Sequence, residues 1–344
     1  MAAAAATSPD AVCIEVRSLA GDSVLELKLG PGGSVAELKA AIAEAWSVPP
    51  AFQRLVRGTE PVGEGEPLEG GCYQLVVSLD AACRDLESED SLRRAKALEE
   101  LGGLGSRGGV AASAAITARL EDEDDAVRQA ATLALARVAP RGDAGAAAGL
   151  RARLLEDDDP FVKEAAAAGL AQVAARGDER AVAALAECLA DSENTSYARR
   201  AAAVAVAKLA EEGDERAVTG LLECLEDEYY DVRWAAVRAL AQVARRGDRR
   251  AVPALCGRLG DLAEEVRRAA TRALAEVCEK GNKRAIVALT SRLKDKDEQV
   301  REAAACALAE LGGTSNAGAK ASLRGCLRDL EAWWPKLRKG GLLA

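Results

Sequence analysis

The chain has 344 residues, too many for one ordinary hydrophobic core unless the architecture repeats. Apolar residues make up 49% but aromatics only 3%, so Ala, Leu and Val must supply the burial, which suits closely packed helices. A net charge of −9 argues against nucleic acid as the main partner, because neutralising phosphates takes a basic surface. The chain contains no His, which removes His-based triads, His general bases and HExxH metal sites.

The first segment, 1–11, is Ala-rich and has neither a basic n-region nor a long apolar run. It reads as a disordered lead rather than a targeting peptide. No stretch approaches the roughly 20 apolar residues that span a bilayer, so no membrane partner is expected. Nine Cys are scattered without a CxxC pair, and Cys188, Cys224, Cys278 and Cys306 fall at helical positions. Reduced, structural thiols are expected, which fits the cytoplasm, with the nucleus as an alternative.

Residues 12–79 carry short-range alternation. Ile14 and Val16 alternate with polar neighbours, Gly21-Asp22 makes a turn, and Leu25, Leu27 and Leu29 alternate again, which predicts a hairpin. Pro31-Gly32-Gly33 breaks the chain, and Ser34 caps a helix with Val35, Leu38 and Ile42 on its apolar face. Pro49-Pro50 ends that helix, and short apolar runs follow at Leu55-Val56 and Tyr73-Leu75-Val77. The order predicts a small α+β domain.

These residues resemble ubiquitin over about 67 positions. Ile14-Glu15-Val16 opens the match, Pro31 precedes the helix, Pro49-Pro50 follows it, and Gln53-Arg54-Leu55-Val56 and Tyr73-Gln74-Leu75-Val76-Val77 form later strands. The resemblance implies a β-grasp fold with an apolar recognition patch at Leu19, Val56 and Val76. The chain runs on through Ser78-Leu79-Asp80 with almost no linker, so the domain is an integral module rather than a conjugated tag.

From residue 80 to 327 a unit of 34 to 36 residues repeats. Segments beginning at Val127, Val162, Ala198, Val232, Val266 and Val300 align without difficulty. The next residue is always basic: Arg128, Lys163, Arg199, Arg233, Arg267 and Arg301. Ala occupies the third and fourth positions past the start in all six copies, and Leu or Val the eighth and eleventh. Gly142-Asp143, Gly177-Asp178, Gly213-Asp214, Gly247-Asp248 and Gly281-Asn282 punctuate the units, with Gly for a left-handed turn and Asp or Asn for a helix cap. A looser copy with Leu92, Ala95 and Leu98 precedes these, giving about seven two-helix units. The uniform basic position is expected to point along the stack and pair with turn carboxylates at Asp124, Asp159, Asp231 and Glu265. Residues 328–344 read as a capping helix and basic tail, with Trp333 and Trp334 covering the last core.

The acidic turn followed by hydrophobe, basic residue and Ala-Ala-x-x-Ala-Leu resembles HEAT repeats, most closely the short, phycobilisome-lyase-like subclass. The resemblance implies an all-α solenoid whose second helices line the concave surface. Features shared by every copy build the rod, so function is sought where copies differ. Two residues past the start stand Gln129, Glu164, Arg200, Trp234, Arg268 and Glu302; six past it stand Leu133, Ala168, Val204, Arg238, Arg272 and Cys306. These positions share one helix face. Trp234, Arg238, Arg268 and Arg272 are expected to cluster, with Arg200 beside them and Tyr197 and Tyr230 at the nearby turns, in a hot-spot composition.

No catalytic constellation accompanies these features. Gly103-Leu104-Gly105-Ser106-Arg107-Gly108 fits GxGxxG but follows a helix, so the strand a nucleotide site needs is missing. No cofactor or metal is expected. The sequence points to a non-enzymatic adaptor that engages protein partners through both the ubiquitin-like head and the solenoid, with a link to ubiquitin–proteasome pathways by family analogy. The alternatives are a bilin lyase or isomerase, for which Cys306 would be invoked, and an assembly factor of a large complex.

Overall fold

The computed structural model describes residues 12–18, 24–29, 33–46 and 48–312, which fall into two compact units divided between Pro140 and Arg141. The predicted turn at Gly21-Asp22, the break at Pro31, and the cap and tail at 328–344 lie outside the described residues.

In the first unit, alternation produces a five-stranded sheet in the order β2-β1-β5-β3-β4. Its strands are β1 (Val12–Ser18), β2 (Val24–Leu29), β3 (Gln53–Arg57), β4 (Glu60–Pro61) and β5 (Gly71–Val77). β1 and β2 are antiparallel with Ile14 opposite Leu27, while β1 and β5 are parallel with Val16 opposite Tyr73. The period of two sends Ile14, Val16, Leu55, Tyr73 and Leu75 into the core with Val35, Leu38 and Ile42 of α1 (Val35–Trp46). Ser34 and Glu37 close a reciprocal capping box at the start of α1: the Glu37 N–H donates to Ser34 Oγ at 3.2 Å, and the Ser34 N–H donates to Glu37 Oε2 at 3.1 Å.

Fourteen helices follow in seven pairs among the described residues. The first unit holds α2 (Asp80–Leu86), α3 (Ser91–Gly103), α4 (Gly109–Thr117) and α5 (Asp125–Val138). In α3 the core positions are Ala97, Leu98 and Leu101, whereas Leu92 is 77% exposed and does not join the expected apolar face. The GxGxxG stretch leaves α3 through a 3₁₀ turn, Gly105–Gly108. Its last glycine serves packing, since a Cβ there would lie 2.7 Å from that of Ala112.

The second unit continues with α6 (Ala144–Glu156), α7 (Pro160–Val173), α8 (Glu179–Ala190), α9 (Ser196–Leu209) and α10 (Glu215–Cys224). It ends with α11 (Tyr230–Val243), α12 (Ala251–Arg258), α13 (Glu264–Val277), α14 (Lys283–Arg292) and α15 (Glu298–Gly312). Each second helix packs on the second helix of the next pair: α7 on α9, α9 on α11, α11 on α13 and α13 on α15. The fourth-position alanines Ala166, Ala202, Ala236, Ala270 and Ala304 are wholly buried, which lets the helix backbones approach closely.

Two devices lock neighbouring pairs together. The first is the punctuating glycine. Gly247, at φ 79°, donates its N–H to the carbonyl of Val277 at the end of the next second helix, at 2.7 Å, and Asp248 then caps the N–H groups of Arg250 and Ala251. The glycine thus ties units together as well as turning the chain. The second is an Arg–Asp ladder, and here the structure corrects the sequence expectation. Arg199, Arg233 and Arg267 reach forward 28 residues to Asp227, Asp261 and Asp295, and Arg94 of α3 does the same to Asp122. The expected partners Asp124 and Asp159 instead cap helices, accepting the N–H groups of Val127 and Val162. The carboxylate each guanidinium reaches lies midway along the turn of the next pair, whereas Asp124 and Asp159 stand at the helix N-cap, where backbone N–H groups claim them. The Nη1 of Arg233 also donates to the carbonyls of Asp227 and Glu228, so one side chain staples its own turn and grips the next. Lys163 departs from the ladder and donates to Asn194 at 2.9 Å.

Candidate functional site

With the ladder and the alanine seams turned inward, each second helix presents one face to solvent. On α11 that face carries Tyr230, Trp234, Arg238 and Gln242 at spacing four; on α13 it carries Arg268, Arg272 and Glu276. Their opposite sides bury Val232, Ala236 and Leu240, and Val266, Ala270 and Leu274, so both rows are fixed by packing. Long side chains form the two walls, and Ala241, Ala269 and Ala273 form the floor between them. The result is an open groove of about 380 Å³.

The groove is cationic, with three guanidiniums against the single carboxylate of Glu276. The Arg238 guanidinium lies over the Trp234 ring, 4.8 Å from its centroid, so the two side chains of the α11 wall stack on each other. Arg268 donates to the side-chain carbonyl of Gln299. Arg238 and Arg272 have no ion-pair partner among the described residues.

Trp234, Arg238, Arg268 and Arg272 therefore line one groove, and Arg200, Tyr197 and Tyr230 stand outside it. Arg200 lies over the Tyr197 ring at 5.9 Å and is held by Glu164 at 3.4 Å and Asp231 at 3.8 Å. Tyr230 is 54% exposed at the start of α11. Gln242 and Glu276 were not among the residues picked out from sequence; they follow one helical turn after Arg238 and Arg272, and carrying the four-residue step once more would have found them.

On the sheet, Val56 and Val76 are half-buried. Arg54 pairs with Val76 and Val56 with Gln74, so the two valines share the face opposite Leu55 and Leu75 as diagonal neighbours. Leu19, the third member of the expected patch, lies outside the described residues.

Reactive groups are few. Burial pushes the Cys188 and Cys224 thiols up to about 12 and that of Cys278 to about 11, which keeps them protonated at neutral pH. The Cys306 thiol is raised by burial and then by Glu310 and Glu302. Among the described residues no cluster of His, Cys, Asp or Glu is arranged to hold a metal ion, and no helix is long and apolar enough to cross a membrane.

A family profile described as HEAT repeats matches at 80–171, 168–241, 197–275, 218–309 and 252–336. No curated protein sequence matches the chain. Among solved structures, the Escherichia coli protein YibA is 20% identical, with 73% of this chain and 92% of that one covered and a TM-score of 0.50, and it shares the fold. The complex of CpcE and CpcF of phycocyanin lyase from Nostoc is 25% identical over 78% of this chain and 100% of that one, with a TM-score of 0.42. Human deoxyhypusine hydroxylase is 21% identical over 68% and 84%, with a TM-score of 0.33. With paired helices, an inter-unit ladder and a profile match covering most of its length, the chain belongs to the HEAT-repeat family.

Proposed function

We propose that the protein is a non-catalytic adaptor whose solenoid binds a partner protein in the groove between α11 and α13. The observation that carries this reading is the groove itself: an aromatic ring and three guanidiniums gathered on a solvent-facing surface that the fold does not need. Tryptophan and arginine are the residues that dominate binding energy at protein interfaces. The thiols support binding over catalysis, because Cys306 sits where its thiolate is disfavoured.

The head is a second recruitment surface. Its strand order, with the parallel pair β1–β5 at the centre and α1 against one face, supports a ubiquitin-like β-grasp domain. Val56 and Val76 on the opposite face support the apolar recognition patch that the ubiquitin resemblance implies. A link to ubiquitin–proteasome machinery follows from that family analogy.

Affinity capture with the full chain, compared with Trp234→Ala and Val56→Ala variants, tests both surfaces. One set of partners is lost with Trp234→Ala and another with Val56→Ala. An unchanged partner set in both variants would sink the adaptor reading.

A further inference from the structure

The aromatic residues of the solenoid are placed against the logic of its core. Between residues 80 and 312 there are five: Phe161, Tyr197, Tyr229, Tyr230 and Trp234. None is in the core, which is built from Ala, Leu, Val and Ile. Four are 48–57% exposed, although aromatic rings gain most from burial. Their distribution is also narrow. Phe161 is the second residue of α7, Tyr197 the second of α9, Tyr229 and Tyr230 stand at the start of α11, and Trp234 is one turn further along. These are successive second helices packed side by side. The row therefore crosses three pairs at one end of their second helices and runs into the arginine groove at α11 and α13.

Charge changes along the row. At α9 the guanidinium of Arg200 is neutralised by Glu164 and Asp231. At the other end, Arg238 and Arg272 lack carboxylate partners among the described residues. A ligand complementary to this surface is apolar at one end and anionic at the other. Neighbouring helices pack about 8–10 Å apart, so the three intervals from α7 to α13 span about 30 Å. An extended chain advances about 3.3 Å per residue, so about nine residues cover that distance.

Building on the adaptor reading, we propose that this surface binds an extended acidic segment of a partner protein. Asp or Glu side chains meet Arg238, Arg268 and Arg272, whose planar forks suit carboxylates. Aliphatic or aromatic side chains of the same segment lie on Trp234, Tyr230, Tyr197 and Phe161.

The test is selection from a random twelve-residue peptide display library on the full chain, followed by anisotropy titration of the enriched peptides. Net-negative sequences with at least one large apolar residue are expected. The double variant Arg238→Glu/Arg272→Glu should weaken them by at least about tenfold, and Tyr197→Ser/Tyr230→Ser by about threefold to tenfold. These positions are exposed, and unchanged circular dichroism confirms folding. Enrichment of basic or neutral peptides, no enrichment, or indifference to the charge reversal would overturn the proposal. Self-association of the full chain that the charge reversal abolishes would assign the groove to a second copy and overturn it equally. If captured partners still depend on Trp234 while acidic peptides fail, the adaptor reading stands and the acidic segment falls; if both fail, both fall.

Discussion

Replacing Asp261 with Ala removes one rung of the ladder. Its side chain is 2% exposed and accepts from Arg233 Nε and Nη2, both at 2.8 Å, and from the N–H of Ala263 at 3.0 Å. Breaking a buried ion pair from one side costs about 3–5 kcal/mol, because the remaining charge stays desolvated. Arg233 is 12% exposed and keeps the carbonyls of Asp227 and Glu228, so Asp261→Ala should cost about 3 kcal/mol, at the low end. Arg233→Met should cost about 2 kcal/mol, since Asp261 retains the Ala263 N–H and Arg258 at 3.7 Å. Arg233→Met/Asp261→Leu, which leaves no orphan charge, should cost less than the two single changes together by about 2 kcal/mol. Urea unfolding followed by circular dichroism at neutral pH measures these differences. Hydrogen exchange of α11 and α13 amides localises them, because a repeat array can open in segments. A loss below about 0.5 kcal/mol for Asp261→Ala, or additive single variants, would refute the ladder as a source of inter-unit stability.

Acid should act on the same rungs. Burial raises the Asp261 and Asp295 carboxyls, but hydrogen bonds from Arg233 and Arg267 and from backbone N–H groups outweigh it and hold both below the usual carboxylate value. A carboxyl depressed in the folded state stabilises fully above its unfolded value of about 4 and loses that contribution as pH falls through its folded value. Thermal midpoints should therefore be level from about pH 5 to 8 and fall below about pH 4; a midpoint unchanged at pH 2.5 would contradict this. Gly247→Ala forces a Cβ into φ 79° and should cost about 1–2 kcal/mol in urea unfolding. Gly257→Ala, in α12 with nothing within 4 Å of the added Cβ, should stabilise by about 0.5–1 kcal/mol; equal effects at the two sites would remove the conformational argument. Native alkylation by iodoacetamide at pH 8, read by peptide mass spectrometry, should modify exposed Cys72 and Cys83 well before Cys188 and Cys224, and rapid labelling of the buried pair would show the interior to be open.

The sequence by itself determined whatever depends on neighbours within a few positions. The alternation at Ile14 and Val16, the Ser34 cap, the helix-capping Asp or Asn after each punctuating Gly and the buried alanine seam all follow from short-range periodicity and backbone chemistry. The shared face of Trp234 and Arg238 was legible for the same reason, since four residues make about one helical turn. Only the tertiary structure decided contacts set by how one pair stacks on the next. Sequence pointed Arg233 along the stack, but which carboxylate it meets, Asp261 in the turn of the next pair, follows only from how the pairs stack. The N–H of Gly247 finds Val277 because the two units meet there, and Arg272 faces Trp234 across an alanine floor that exists only between packed helices. Local physics writes the unit, while the distance and angle between units select the partners, and those are properties of the stacked array that no single repeat contains.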